Sequence, residues 1–462
     1  MLFNSIDFAI FLPIVFLLYW FFTNRNLKLQ NLLIVAASYF FYGWWDWRFL
    51  SLILFSTIID YSVGIRLSKE DNISKRKILL WTSILVNLGF LCFFKYYNFF
   101  LDNFITAFSF FGQEIQPNSL NIILPVGISF YTFQTLSYTI DVYKRKLKPT
   151  KDFIAFSAFV SFFPQLVAGP IERATHLLPQ IQRQRILIKD DLIKGINLII
   201  YGLFLKVVVA DTLAPQVNEI FANYESISGG SLILGAIFFS FQIYGDFAGY
   251  SKIARGIAKL FGFDLMVNFN KPYFSRNIAE FWRKWHISLN TWFRDYLYIP
   301  IGGSKFGKYK ALRNILIVFL VSGFWHGANW TFIVWGLIHS LLFAPLLLFN
   351  LNRKYLEPIK LYEFSWKSLK QLLSVIITFS LVAFAWIFFR AESIQHAIGY
   401  INNMTFEFSD YKGFLLVCIL ALIVDLVIDN NRFRKYLSPV LIGLIIAAGI
   451  ANTSSEFIYF QF

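Results

Sequence analysis

The side chains of this chain of 462 residues that are best suited to proton transfer near neutral pH are five histidines. They are His176, His286, His326, His339 and His396. No two of them have the four-residue spacing of a helical zinc site, and the two cysteines are far apart in the sequence. The chain also lacks a Gly-x-Ser-x-Gly elbow, a Walker loop and a GxGxxG fingerprint. We therefore expect proton-transfer chemistry without a metal.

His326 is the most unusual of the five. It lies in residues 322–330 (SGFWHGANW), inside an apolar stretch at about 315–349. An ionisable side chain at membrane depth is costly unless it is used or paired, so it indicates a functional site. Gly323 and Gly327 leave room for a substrate or a close helix. A neutral histidine hydrogen-bonded to a neighbouring helix fits the sequence equally well.

The other histidines have plainer explanations. His286, in the sequence WRKWHISLNTW, fits an interfacial polar-face histidine better than a catalytic one. If His326 and His339 share one helix, their spacing makes them face about 140° apart, which favours a structural His339. His176 and His396 lie beside charged loops, and we expect them to be solvated.

The composition predicts the elements that position these residues. The chain is 57% hydrophobic, 20% aromatic and only 15% charged, and it contains repeated apolar runs of near-spanning length. These runs include 78–91, 193–209, 231–243 and 369–389. We expect an all-α polytopic membrane protein with one domain over residues 1–462. A soluble enzyme, a disordered scaffold and a disulfide-stapled secreted domain are excluded, and the N-terminus is interpreted as a retained first span.

The net charge of +15 follows from topology. Basic clusters alternate with the apolar runs, as the positive-inside rule requires. Placing these clusters in the cytoplasm gives roughly a dozen crossings with both termini extracytoplasmic. Nucleic-acid binding is therefore not needed to explain the charge.

Two regions interrupt the pattern of spans. Residues 159–184 carry three prolines, so their backbone must be protected from lipid by protein or water. Residues 252–313 contain twelve basic and three acidic side chains, mixed with tryptophan and tyrosine as in interfacial helices. We interpret this second region as cytoplasmic. It is either a structural collar or a basic mouth for an anionic ligand.

Five motifs, in order, resemble the membrane-bound O-acyltransferase family and, within it, the alginate and peptidoglycan O-acetyltransferase branch. They are LPVGISFYTFQTLSYTIDVY at 124–143, FPQLVAGPIERATHLLPQ at 163–180, QIYGDFAGYSKIARGIA at 242–258, WRKWHISLNTWFRDYLYIP at 282–300, and SGFWHGANW. The resemblance implies a ring of roughly 11–12 transmembrane helices, with re-entrant or interfacial helices, around a central cytoplasmic funnel.

The resemblance also assigns residues. The family's membrane-embedded catalytic histidine matches His326, and its second histidine matches His286. The implied acyl donor is acetyl-CoA, whose phosphates suit the basic mouth. The residues that we expect to contact it are Arg283, Lys284, Trp285 and Arg294.

The implied function is transfer of acetyl from cytoplasmic acetyl-CoA across the bacterial cytoplasmic membrane, for O-acetylation of an extracytoplasmic cell-wall polysaccharide. A separate SGNH-type transferase would be the partner. Abundant Phe, Ile, Lys and Asn are typical of an AT-rich genome. This composition slightly favours peptidoglycan over alginate as the acceptor polymer. D-alanyl or other acyl transfer to a cell-envelope polymer is an alternative, and so is a transporter of acetyl groups or anions that performs no chemistry.

The C-terminal tail, residues 453–462, ends in FIYFQF and is expected to be extracytoplasmic. Similar tails in the family look like acyl relays, which makes Tyr459 a candidate acyl carrier. Ten residues extend ~33 Å, further than the ~15 Å from the core surface to the bilayer midplane. An interfacial aromatic belt is the alternative.

Overall fold

The computed structural model describes residues 1–110, 120, 122–167, 169–357, 366–407, 410–428 and 431–451. The protein is 78% helical, and the described residues contain no strand. The predicted all-α polytopic class is therefore confirmed. Tyr459 and the rest of the tail lie outside the described residues.

The chain folds as two compact units. The first comprises Met1–Ile199 and Ile253–Met266, and the second comprises Ile200–Lys252 and Val267–Phe462. Two long helices, α10 and α12, run through the boundaries between these segments.

The first unit contains ten α-helices in the described part of the chain, the last of which continues into the second unit, and it also holds the end of α12. They are α1 (Ile6–Leu17), α2 (Leu27–Asp46), α3 (Leu50–Lys69), α4 (Ile73–Leu91), α5 (Tyr97–Phe110), α6 (Ile128–Tyr143), α7 (Phe153–Ser161), α8 (Phe163–Leu166), α9 (Ala174–Ile181) and α10 (Lys189–Leu203). Side chains of Asn26, Asn72 and Asp152 accept hydrogen bonds from the first-turn amides of α2, α4 and α7. Helices α2, α3, α4, α6 and α7 pack on one another and form the core of this unit.

The second unit continues with ten further helices in the described residues. They are α11 (Asp211–Ala222), α12 (Gly229–Leu260), α13 (Ile278–Lys284), α14 (Ile287–Phe293), α15 (Lys308–His326), α16 (Trp330–Leu348), α17 (Trp366–Arg390), α18 (Ile394–Asn402), α19 (Leu415–Val427) and α20 (Asn431–Ala451). Helices α15 and α16 form a tight hairpin that packs on α17. Gly323 allows this approach, because a side chain there would collide with the Phe332 carbonyl on α16.

Six helical runs in the described residues are long and apolar enough to cross a membrane. They are Leu27–Lys69, Ile73–Ser109, Lys189–Ala222, Gly229–Leu260, Trp330–Leu348 and Ser368–Arg390. Three shorter apolar helices accompany them, at Ile6–Phe22, Phe153–Leu166 and Leu437–Ala451. The larger count of 11–12 spans, the ring and the side of each terminus stay predictions.

The two irregular regions are packed inside protein. Phe162, Phe163 and Ile171 of the proline-containing region are at most 1% exposed, which confirms that protein protects its backbone. In the basic region, Trp282, Trp285 and Trp292 are 8%, 2% and 7% exposed. These tryptophans therefore pack on protein and do not lie on a lipid surface. The cytoplasmic location of 252–313 stays a prediction.

Candidate active site

His326 is the last residue of α15, at the point where the chain reverses into α16. Asn329 starts α16 by accepting a hydrogen bond from Thr331 N at 3.0 Å. Gly327 is required in this short connection, because a Cβ there would collide with the Phe332 ring. The apolar stretch that the sequence presents as continuous is therefore two helices joined at His326.

Aromatic rings enclose the His326 side chain, which is 5% exposed. Its ring lies edge-on to Trp325 at 5.0 Å, and to Trp335 and Phe389 at 5.3 Å each, between ring centroids. Such a pocket keeps water away from most of the ring. An imidazole held in this way can take a proton from a substrate group.

His339 belongs to the same aromatic cluster, and the one-helix orientation predicted for it is wrong. The chain reverses between the two histidines, so both contact Trp335, His339 at 4.9 Å between centroids. Trp282 Nε1 donates to His339 Nδ1 at 3.3 Å. Because His339 is fully buried and accepts this hydrogen bond, the structure agrees with a packing role for it.

His286 lies in the turn between α13 and α14 and is 1% exposed, so the interfacial polar-face interpretation is wrong. Its backbone has φ 43°, in the left-handed region that a residue with a side chain seldom adopts. The ring packs edge-on against Phe247, with centroids 4.6 Å apart. Burial lowers the pKa of the His286 imidazole to about 3, so the ring is neutral near pH 7.

Trp325 connects the two histidines that the family resemblance singled out. Its ring centroid lies 6.2 Å from that of His286 and 5.0 Å from that of His326. The structure therefore brings His286 and His326, forty residues apart in sequence, around one indole.

Two adjoining cavities of about 650 and 510 Å³ open beside this cluster. Arg294, Arg353 and Phe319 line both of them. The smaller cavity reaches Ser322, one helical turn before His326 on α15, and is also lined by Arg283. A basic cavity thus extends toward the end of α15 at which His326 lies.

The four residues predicted to contact acetyl-CoA separate into two pairs. Arg283 and Arg294 line the cavities. Arg283 also donates to the carbonyls of residues 352 and 355 at 2.8 and 2.7 Å, and Arg294 pairs with Asp295 at 2.7 Å. The other two lie elsewhere. Lys284 pairs with Glu280 at 2.9 Å, and Trp285 is buried in the aromatic cluster.

Sequence reasoning missed Arg353 and Lys308 as cavity residues. Arg353 was counted with the basic clusters that topology explains, and Lys308 was one of many basic side chains in 252–313. Spacing gave no signal for either. Within the described residues no group of three or more His, Cys, Asp or Glu side chains could hold a metal ion.

Residues 80–389 match MBOAT, the membrane-bound O-acyltransferase family, and this span contains both histidines and the lining of both cavities. The chain belongs to this family. It is similar to the probable alginate O-acetylase AlgI of Pseudomonas aeruginosa, with 40% identity over 404 residues, 86% of this chain and 73% of that protein. It is also similar to the peptidoglycan O-acetyltransferase of Helicobacter pylori, with 34% identity over 433 residues, 87% of this chain and 80% of that protein.

A further relative is the teichoic acid D-alanyltransferase of Bacillus subtilis, with 29% identity over 290 residues, 60% of this chain and 71% of that protein. Together, the family and these relatives confirm the predicted enzyme class. The protein is a multi-pass membrane O-acyltransferase.

Proposed function

We propose that this protein transfers acetyl from cytoplasmic acetyl-CoA for O-acetylation of an extracytoplasmic cell-wall polysaccharide, with His326 as the general base. The supporting observation is the arginine-lined cavity that extends to Ser322, one turn before His326. The two relatives described first, which cover most of the chain, are named for O-acetyl transfer. Transfer of D-alanyl is the second candidate, supported by the relative named for that reaction.

The chemistry follows from the acyl donor. A hydroxyl oxygen attacks the thioester carbonyl, a C–O bond forms, and His326 takes the hydroxyl proton as the bond forms. The C–S bond then breaks, and the CoA thiolate leaves with that proton. Imidazole suits this role because its ordinary pKa, ~6.5, lies near neutral pH.

The cavity arginines provide recognition of the donor. One guanidinium group can donate two parallel hydrogen bonds to the oxygens of a phosphate group. The cavity residues Arg283, Arg294 and Arg353 therefore suit the diphosphate of CoA. The acyl end would then extend past Phe319 toward Ser322. The side of the membrane on which this cavity opens is proposed to be cytoplasmic.

The acceptor hydroxyl belongs to a sugar or, in the sharper form of the proposal, to Tyr459. Full transfer of a proton from a Tyr of pKa ~10 to a His of pKa ~6.5 costs ~4.8 kcal/mol, which is acceptable when transfer is concerted with attack. Tyr459 would then pass the acetyl group to an SGNH-type partner on the extracytoplasmic side. Peptidoglycan is the favoured polymer, in a bacterial inner membrane with both termini extracytoplasmic.

The decisive experiment measures release of free CoA from acetyl-CoA by the purified protein in lipid nanodiscs. Wild type should release CoA, and His326→Ala should reduce the rate by ~10²–10⁴-fold. His396→Gln is the matched control, because it changes a half-buried histidine far along the chain on α18. Undiminished release in His326→Ala would refute the general-base role. A wild type that releases no CoA, even with soluble peptidoglycan fragments added as the acceptor, would refute the donor and leave a transporter as the better interpretation.

The relay is tested separately by intact-mass analysis with donor present and partner absent. Wild type should gain one acetyl group, and Tyr459→Phe should not. If acetyl still reaches the partner at the wild-type rate in Tyr459→Phe, the relay is wrong and the direct sugar acceptor is favoured.

A further inference from the structure

We propose that Asn268 is a positioning residue that holds His286 in the tautomer protonated at Nδ1, so that Nε2 accepts a hydrogen bond from a polar group of the acceptor beside the hydroxyl that His326 deprotonates. This inference rests on the proposed function, because it gives the second histidine of the site a part in the same reaction.

The orientation of the Asn268 side-chain amide is fixed by a donor that cannot accept. The backbone N–H of Ser288 points at Oδ1 of Asn268, 3.2 Å away, and Ser288 Oγ donates to the same oxygen at 2.6 Å. If the amide were flipped, its NH₂ group would face the backbone N–H. The atom facing His286 is therefore the carbonyl oxygen.

That oxygen determines the tautomer of His286. Nδ1 of His286 lies 3.3 Å from Asn268 Oδ1, and a carbonyl oxygen only accepts hydrogen bonds. Nδ1 must therefore carry the proton. A neutral imidazole has one N–H, and burial in the apolar surroundings keeps this ring neutral, so Nε2 carries a lone pair.

The backbone holds the two side chains in register. Ile287 N donates to the carbonyl of Asn268 at 2.9 Å, and Asn270 N donates to the carbonyl of Lys284 at 3.0 Å. These two bonds tie residues 268–270 to the residues on both sides of the His286 turn. The left-handed backbone of His286 is thus stabilised by the same segment that supplies Asn268.

Two buried atoms of this pair have no hydrogen-bond partner among the described residues. They are His286 Nε2 and Asn268 Nδ2, an acceptor and a donor. Buried polar atoms are usually hydrogen-bonded in folded proteins, and a polar ligand would satisfy both atoms of this pair. A polar group of the acceptor that donates to Nε2, beside the hydroxyl that reacts, fits this requirement.

His339 provides an internal contrast. Its Nδ1 accepts a hydrogen bond from Trp282 Nε1, and an indole N–H only donates. The single proton of neutral His339 therefore lies on Nε2. The two buried histidines have opposite tautomers, although both are surrounded by aromatic rings.

The test uses the full-length protein in lipid nanodiscs, labelled with ¹⁵N-histidine, which adds only five labelled side chains. Solid-state NMR at neutral pH distinguishes protonated from unprotonated ring nitrogens, and His286→Gln identifies the His286 signals. Wild type should show Nδ1–H with an unprotonated Nε2 at His286, and the reverse at His339. A protonated Nε2 at His286 would overturn the proposal.

Three variants link the tautomer to the reaction. Asn268→Leu should lose the fixed tautomer and slow CoA release by roughly 10- to 100-fold. Asn268→Asp keeps an acceptor oxygen, so it should retain the tautomer and recover most of the rate. Asn270→Ala keeps the backbone N–H that bonds to Lys284 and removes only an exposed side chain, so it should change neither. An unchanged tautomer in Asn268→Leu would refute the positioning role.

The NMR measurement needs no acetyl-CoA, so the two proposals can fail separately. The predicted tautomer without CoA release would refute the acetyl-CoA function and leave the role of Asn268 toward His286 intact. Normal CoA release with the opposite tautomer would refute only the present inference.

Discussion

Each unit of the protein contains a deeply buried polar network, and the two networks differ in how completely their hydrogen bonds are made. In the first unit, Asp60 on α3 is fully buried but accepts hydrogen bonds from Ser83, Asn87 and Thr139 on α4 and α6. In the second unit, His286 is equally buried, yet its Nε2 has no partner among the described residues. Burial of an ionisable group therefore does not by itself mark an active site.

The network of the first unit is closed by its own side chains. Asn87 donates to Asp60 at 2.9 Å, while Ser56 and Thr135 donate to Asn87 Oδ1 at 2.8 and 3.2 Å. Such networks fix how helices pack in a membrane. In the network around Asn268, Oδ1 accepts two hydrogen bonds from Ser288. The acceptor His286 Nε2 and the donor Asn268 Nδ2 have no partner among the described residues. We infer that the first network stabilises the fold and that the second receives a substrate.

The largest expected effect is on catalysis by the two histidines. His286→Ala and His326→Ala should each slow CoA release by ~10²–10⁴-fold, and the double variant should be little slower than the worse single variant. The reason is that both rings act on the same bound acceptor, His326 on the hydroxyl that reacts and His286 on a polar group beside it. Strictly additive losses in this double-mutant cycle would mean independent roles. Unfolding temperatures in nanodiscs serve as the control and should stay close to wild type.

The next largest effect is on stability and distinguishes the two networks directly. Asp60→Leu removes the acceptor for buried donors of Ser83, Asn87 and Thr139 and should cost about 3 kcal/mol of unfolding free energy. Asp60→Asn, which keeps one acceptor oxygen, should cost less. Thermal unfolding in detergent measures the loss. The rate of CoA release per folded molecule should remain at the wild-type value, and a loss as large as that of His326→Ala would place Asp60 in the reaction.

A smaller effect is expected at the basic cavity. Arg294→Gln and Arg353→Gln should each raise KM for acetyl-CoA by about tenfold and leave kcat unchanged, because they remove binding that the ground and transition states share. The effect should shrink at high salt, since phosphate contacts are screened. Arg145→Gln, which breaks an exposed ion pair with Asp71 in the first unit, removes the same charge and should leave KM unchanged. A fall in kcat with constant KM would contradict phosphate recognition.

The sequence predicted the helical membrane class, because apolar run length is a local signal. The family resemblance singled out His286 and His326, and their catalytic roles stay predictions. The sequence did not predict the reversal after His326, since the connection between α15 and α16 is short and carries no charge. Nor did it predict Asn268, because the role of this residue depends on pairing with Ser288, twenty positions away. Arg353 was assigned to a topological cluster by its charge, and Trp285 to the cavity by aromatic composition, but neither property indicates which side chains line a cavity.

The smallest expected effect is on the pH dependence of stability, and it concerns one titratable histidine in each unit. In the first unit, a hydrogen bond to Glu172 at 2.7 Å raises the pKa of His176. In the second, burial lowers the pKa of His396, whose ring stacks on Tyr224. The raised pKa means that folded His176 binds its proton more tightly than the unfolded chain does. Its contribution to stability is therefore full below pH 6.5 and lost as pH rises through the raised value.

His396 has the opposite sign, because its lowered pKa disfavours the folded state below pH 6.5 and this cost disappears above it. His176→Gln should reduce the loss of unfolding free energy that occurs as the pH rises above 6.5. His396→Gln should reduce the loss that occurs as the pH falls below 6.5. Each change should stay under about 1 kcal/mol, since solvent screens both side chains. The test compares the unfolding free energies of wild type and the two variants between pH 5.5 and 8. If the pH dependence of the unfolding free energy in both variants equals that of wild type, neither imidazole is coupled to its neighbours. The contrast between the units would then apply only to their buried networks.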